Sequence, residues 1–305
     1  MEIIEVSWSE RRYRDILRSI RQKVFIEEQG VPAADEWDDK DDQALHFLAL
    51  DGKRPVGCAR LFKDGYFGRM AVLAEHRGQH WGSRLIKAMA DHYQQELGGR
   101  ILKASVQAQA FSFYRRNGFT PEGDFYRDAG IPHLTMTRIL GREAPESHTF
   151  EAGQDDQLYQ PDDPAAIEGL FQIGCQNNSR NLLLMINELN HPAWSSASSL
   201  DAIKRFIRSS SRRHIQLLIN DESSGINDHP LIQLQQRISS RISLKVHSGV
   251  KNNGALFEPY AYLMINGPQV RACFNDRARV ARYKEEFDDL WRSANPAKEA
   301  RRLKI

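Results

Sequence analysis

Cysteine is scarce in this chain. Three occur in 305 residues, Cys58, Cys175 and Cys273, far apart and without a CxxC pair. That scarcity argues against a disulfide framework or a zinc site, so no metal is expected and the cytoplasm is the expected compartment. Long apolar runs are missing too. Leu182 to Ile186 is bounded by Asn181 and Asn187, well short of the roughly 18 residues a membrane span needs. The opening Met1-Glu2-Ile3-Ile4-Glu5 lacks the basic-then-apolar order of a signal peptide, so no membrane partner is expected. Lys and Arg are absent between positions 151 and 179, where six acidic residues stand. With 41% hydrophobic and 27% charged residues, the composition is that of a globular protein with one large domain or two ordinary ones.

The charge that is present is uneven. Residues 1–150 carry 22 basic and 22 acidic side chains, whereas residues 180–305 carry 20 basic against 12 acidic. A basic second half is either a solvated face or a contact for an anion or a nucleic acid. The tail cations Lys298, Arg301, Arg302 and Lys304 belong to that excess.

Apolar periodicity divides the chain. Ile3 to Ser7 reads as a strand, followed by a helix with Tyr13, Ile16, Leu17, Ile20 and Val24 on one face and Ser9 as its cap. An acidic loop, Asp35 to Asp42, precedes strands at Ala44 to Leu50, Pro55 to Phe62 and Tyr66 to Leu73. A helix from Trp81 to Leu97, a strand from Ile101 to Ser105, a helix from Ala108 to Arg116, and strands at Phe119 to Arg127 and His133 to Ile139 complete a β-α-β-β-β-α-β-α-β-β unit. The division is a domain over 1–141, a polar acidic linker over 142–163 and a second α/β domain over 164–305. In the second, strands are read at Asn181 to Asn187, His214 to Ile219 and Ile242 to Val246. Helices are read from a Ser199 cap through Arg208, at Leu231 to Ile238 and from Asp276 to about Arg292. Asn266-Gly267 marks a hairpin.

The segment Arg77-Gly78-Gln79-His80-Trp81-Gly82 lies between a strand and a helix start. Consecutive N–H groups there, at the positive end of a helix dipole, form a cradle for phosphate oxygens, and glycine lets a ligand approach. A plain glycine turn is the alternative. About 30 residues on, Phe113-Tyr114-Arg115-Arg116-Asn117-Gly118-Phe119 offers a phenol that either packs as a core aromatic or donates a proton.

The run from Arg69 through Leu85 resembles the acetyl-CoA signature of the GNAT N-acetyltransferase superfamily. Arg77 and Gly82 match the ends of its pattern, and His80 stands at the middle glycine. The run Val24-Phe25-Ile26-Glu27-Glu28-Gln29-Gly30-Val31-Pro32, with His46-Phe47 and Gly130-Ile131-Pro132-His133, resembles the ElaA type of small bacterial GNAT protein. The resemblance implies a mixed, mostly antiparallel α/β sheet flanked by helices, and transfer of acetyl from acetyl-CoA to a primary amine by direct attack. It implies Tyr114 as the acid that protonates the departing thiolate, and Glu28 or His46 as base. It also implies that Met70, Ala71, Val72, Arg77, Gly78, Gln79, His80, Trp81, Gly82, Ser83, Phe113 and Arg116 line the coenzyme, with the Val72 N–H serving the thioester oxygen. The second half resembles a single phospholipase D-like unit in element order, but Tyr260 and Tyr262 replace the His and Lys of that family's His-Lys-Asp motif. Binding, regulation or homodimer formation is the role implied there, and a non-catalytic acyl-CoA-sensing or nucleic-acid-binding adaptor is the alternative to an enzyme.

Overall fold

The computed structural model describes residues 2–141, 150–177, 179–220 and 228–297. The tail cations noted above and Asn178 lie outside the described residues. Two seven-stranded sheets organise what is described.

The first sheet is built from β1 (Glu2–Val6), β2 (Leu45–Asp51), β3 (Arg54–Leu61), β4 (Tyr66–Val72), β5 (Ile101–Gln107), β6 (Thr120–Asp128) and β7 (Ile131–Ile139), in the order β1-β2-β3-β4-β5-β7-β6. Alternation along the strands gives it two apolar faces. Leu48, Cys58 and Ala71 receive α1 (Arg11–Arg21), through Leu17 and Ile20. Phe47, Ala59 and Phe67 receive α3 (Trp81–Gln95), through Leu85, Ile86 and Met89. Helix α1 begins after Glu10 with no side-chain cap, and the expected cap, Ser9, pairs with Ser7 instead. Its end widens into a π-helical turn, Gln22–Glu28, followed by the short α2 (Ala33–Glu36). A six-residue helix, α4 (Phe111–Arg116), carries Phe113 and Tyr114.

One junction of this sheet is incomplete. Strands β4 and β5 run parallel and pair only through Tyr66 with Lys103 and Phe67 with Ala104. Beyond that point they part. A bulge helps, because the β3 register shifts between Cys58 and Arg60, and Arg69 opposite takes φ 47°. The ends of β4 and β5 therefore form a wedge with backbone groups on its inner edges.

The second sheet follows α5 (Pro164–Gln176). It comprises β8 (Asn181–Ile186), β9 (His214–Ile219), β10 (Ile242–Val246), β11 (Asn253–Phe257), β12 (Ala261–Asn266), β13 (Gln269–Cys273) and β14 (Asn295–Pro296), in the order β13-β12-β11-β8-β9-β10-β14. Helices α6 (Pro192–Ser195), α7 (Ala197–Arg208), α8 (Pro230–Arg237) and α9 (Arg277–Ser293) complete it. The cap of α7 is Ser196, whose side chain accepts from Ser199 N–H, so Ser199 is the capped residue rather than the cap. Sequence periodicity missed α5 and β11. Helix α5 is buried on nearly all sides and lacks an apolar stripe, and β11 is buried at every position and lacks alternation.

The halves pack through α5. Glu168, fully buried, pairs with Arg127 on β6 at 2.9 Å and accepts from Ser196 and Ser198 at the start of α7. Gln176 accepts from Ser112 N–H at 3.0 Å and donates to the Ala108 carbonyl. A side chain of the second half thus caps the helix that carries Tyr114.

Candidate active site

The wedge between β4 and β5 opens into a cleft of about 780 Å³, lined by Met70, Ala71, Val72, Arg77, Gln107, Phe113, Glu28 and Gln29, and on the far side by α7. An adjoining cavity of about 320 Å³ shares Met70, Gln107 and Phe113 and reaches Tyr66, Arg69, Tyr114, Asp128 and His133. Leu73 N–H goes to Val56 on β3. By strand alternation the polar groups of Val72 face the opposite, open side. The Val72 carbonyl is already taken there, at 2.9 Å from Arg77 Nε.

Beyond β4 the chain turns into α3 without a side-chain cap. Arg84 N–H is the first in that helix to reach back, to His80. The N–H groups of Trp81, Gly82 and Ser83 precede it and have no intrahelical acceptor. Gly78 has φ 78° with open space where a Cβ would stand. These donors at a helix N-terminus fit the pyrophosphate of a coenzyme A thioester. Gly82 has a packing reason as well, since a Cβ there would stand 2.8 Å from Phe113 Cζ. His80 has φ 64°, which is why glycine suits this position; histidine tolerates the left-handed region better than most residues, and here it is exposed. Gln79 reaches the Glu75 carbonyl at 3.5 Å. Trp81 is 1% exposed and packs in the core, so its contribution to the cradle is backbone only.

Tyr114 is nine-tenths buried against Phe67, Phe113 and Phe119, with no hydrogen bond to its hydroxyl among the described residues. Burial, and secondarily the nearby Tyr66, push its pKa above the ordinary 10, so the phenol keeps its proton at neutral pH. Glu28 lines the cleft at the end of the π-helical turn, with both oxygens 2.6 Å from the Arg77 guanidinium. Arg77 is therefore engaged with Glu28 and Val72. Arg116 lines a separate groove with Arg115, Glu151 and Tyr260.

His46 is not brought to the cleft. It is 2% exposed on β2, stacks on Trp8 and donates from Nε2 to the Asp41 carbonyl at 2.8 Å. Burial holds its pKa below the ordinary 6.5. Half of the acidic loop is paired rather than free: Glu36, Asp38 and Asp41 meet arginines, while Asp35, Asp39 and Asp42 are exposed. Arg21 meets Glu36 at 2.5 Å and Asp41 at 2.7 Å, Arg60 meets Asp38 and Asp41, and Arg69 meets Glu36 and Asp38. Arg21, Glu36, Arg60 and Asp41 are all at most 5% exposed.

Sequence reasoning misses His133 as a site residue, although Gly130-Ile131-Pro132-His133 is part of the ElaA-like resemblance. Its Nδ1 donates to the Ile131 carbonyl at 2.8 Å, which leaves Nε2 as the acceptor nitrogen of a neutral ring in the inner cavity. Burial lowers its pKa, against the pull of that hydrogen bond and of Asp128. Three further cleft residues, Lys204, Arg205 and Arg208, come from α7, about 130 residues away in sequence from the cradle. Among the described residues, no group of three or more His, Cys, Asp or Glu is placed to hold a metal ion, and no helix is long and apolar enough to cross a membrane.

Residues 21–140 match the family model "Acetyltransferase (GNAT) domain", and residues 165–303 match a domain of unknown function, DUF7931. The chain is 37% identical over 124 residues to an uncharacterized N-acetyltransferase, YjcF, of Bacillus subtilis, spanning 39% of this chain and 87% of that protein. It is 29% identical over 129 residues to protein ElaA of Escherichia coli, spanning 40% and 84%. The crystal structure of Escherichia coli ElaA aligns with a TM-score of 0.42 at 27% identity, over 45% of this chain and 99% of that one. Through its first half, the chain belongs to the GNAT acetyltransferase family.

Proposed function

We infer that the protein transfers an acetyl group from acetyl-CoA to a primary amine. The observation that carries this reading is the parted β4–β5 pair, with an uncapped helix N-terminus packed at Gly82 against Phe113 of the cleft wall and, at the inner end, a protonated Tyr114 whose hydroxyl has no hydrogen bond among the described residues. The free N–H groups at the start of α3 hold the pyrophosphate, and the acyl arm lies along Met70 to Val72. The Val72 N–H donates to the thioester oxygen and stabilises the charge that grows there during attack. Holding amine and thioester in one cleft supplies effective concentration.

The acceptor amine sits in the inner cavity and must lose a proton, since a free amine near pKa 10.4 is protonated at neutral pH. Of the nitrogen bases near the cleft, His133 offers an unprotonated Nε2 in that cavity, directly or through one water. Glu28 is the second candidate, through a water, and would first have to loosen its pair with Arg77. Tyr114 gives its proton to the departing thiolate, whose conjugate acid lies near the 8.5 of a thiol.

Calorimetry with acetyl-CoA and turnover across a panel of amines test the reading. Tyr114→Phe is expected to keep binding and lose about 10²-fold in kcat, the ordinary worth of a general acid. No acetyl-CoA binding by the parent protein would refute the reading. Binding without turnover on any amine would favour an acyl-CoA sensor.

A further inference from the structure

The cleft is not closed by the first half alone. Its far wall is α7, from the second half, and that wall is cationic: Lys204, Arg205 and Arg208 face the same space as Arg77. Among the described residues that line the cleft, two carry carboxylates, Glu28 and Asp201. Glu28 is taken by Arg77, and Asp201 pairs with Lys204 at 3.0 Å on the exposed surface of the helix. Arg208 is exposed and has no ion-pair partner among the described residues.

Arg205 has a different task. It donates to the Gln109 side chain, Gln109 donates to Gln107 at 2.5 Å, and Gln107 donates to Gln29 at 3.1 Å. This string of amides ties α7 to β5 and to the π-helical turn. Arg205 also lies within electrostatic reach of Arg77 and Glu28. The cap Ser196 and its neighbour Ser198 fix the other end of α7 by donating to buried Glu168. The helix is thus anchored at its start and along its length, and beside the mouth, one turn apart, stand Arg208, with no ion-pair partner among the described residues, and Lys204, whose ion-pair partner is Asp201 on its own helix.

A wall with surplus positive charge repels a cationic amine and attracts an anion. On the acetyl-CoA reading, the phosphates of the coenzyme are anions that the reaction necessarily brings to the protein. We propose that Lys204 and Arg208 of the second half bind the phosphate groups of coenzyme A, so that the second half completes the coenzyme site of the first. The proposal rests on the acetyl-CoA reading above. It gives the basic second half a task at the cleft, and it assigns the phosphates a set of side-chain cations in place of Arg77, which is committed to Glu28 and Val72.

The test compares the parent protein with the double variant Lys204→Ala/Arg208→Ala, measured by calorimetry with acetyl-CoA and with S-acetylpantetheine, which lacks the phosphates. The expected result is about a tenfold or greater loss of acetyl-CoA affinity in the variant, corresponding to one lost charge-assisted contact. That loss should shrink as salt rises, and it should vanish with S-acetylpantetheine. The charge-keeping variant Lys204→Arg/Arg208→Lys should bind acetyl-CoA within about threefold of the parent. Parent and alanine variant binding acetyl-CoA equally, or the variant losing S-acetylpantetheine by the same factor, would overturn the proposal. Failure of the parent itself to bind acetyl-CoA would instead sink the transferase reading.

Discussion

Two parallel strand pairs sit at the centres of the two sheets, and they end differently. In the second half β8 and β9 pair at six consecutive positions, Asn181 with His214 through Ile186 with Ile219. In the first half β4 and β5 pair at two and then part. A pair joined along its length satisfies its backbone internally and becomes core, as in β8, where Leu182 to Ile186 are all buried. A pair that parts leaves backbone donors and acceptors on its inner edges and must be held open by something else. Here the clamps are a buried ionic network on one side and α5 and α7 on the other.

The largest expected effects test whether the open pair depends on charge where the closed pair depends on packing. Arg21→Met should cost about 3 kcal/mol or more, because Glu36 and Asp41 stay buried with fewer counter-charges. It should also weaken acetyl-CoA binding, since Glu36 and Arg69 lead from that network to the bulge in β4. Leu184→Ala in β8 should cost about 2–5 kcal/mol through a cavity, yet leave the affinity of the folded protein unchanged. Urea melts with acetyl-CoA titrations of both variants decide it. Equal loss of affinity in the two would erase the distinction.

The next effect is on rate. If His133 accepts the amine's proton, its neutral form is the active one. Burial lowers its pKa, so protonation, and with it the loss of kcat on the acid side, should be centred below the ordinary 6.5. His133→Gln should lower kcat about 10²-fold and abolish that acid limb. An unchanged limb in the variant would pass the role to Glu28.

The halves also differ in how legible they were. In the first, the element order could be read because α1 and α3 each show one apolar face and the strands alternate. What could not be read was the pairing of charges. The acidic run Asp35 to Asp42 looks solvated as a string, and only the fold shows that Glu36, Asp38 and Asp41 within it are partnered by Arg21, Arg60 and Arg69, from three other elements, while Asp35, Asp39 and Asp42 stay exposed. His46 and His133 look alike in sequence, both next to apolar strand residues, and which of them faces the cleft depends on the face of the sheet and on the wedge. In the second half α5 and β11 were invisible for the reason that makes them central: they are buried on nearly every side and carry no apolar period. The cations of α7 read as an ordinary helix surface, because nothing local says which surface the cleft will use.

The smallest expected effect concerns the residue at which the family pattern breaks. His80 stands where glycine is usual, and the question from sequence is whether its side chain spoils the cradle. Its φ of 64° shows that the position asks for left-handed backbone, and its exposure shows that the imidazole points away from the core. Two opposing contributions follow for His80→Gly. Relief of left-handed strain stabilises by about 1–2 kcal/mol, and the added freedom of glycine in the unfolded chain costs about 0.4–1 kcal/mol. The net change in stability should be a gain of between about 0 and 1.6 kcal/mol, and acetyl-CoA affinity should move by less than about threefold, because the N–H groups proposed to hold phosphate are unchanged. His80→Val is the sharper arm. A β-branched residue at this φ is a true outlier, so the turn should rearrange and affinity fall with stability. If glycine instead raised affinity tenfold or more, the imidazole would be shown to compete with the phosphate, and the cradle of this chain would be a weakened one that relies on α7 for its hold.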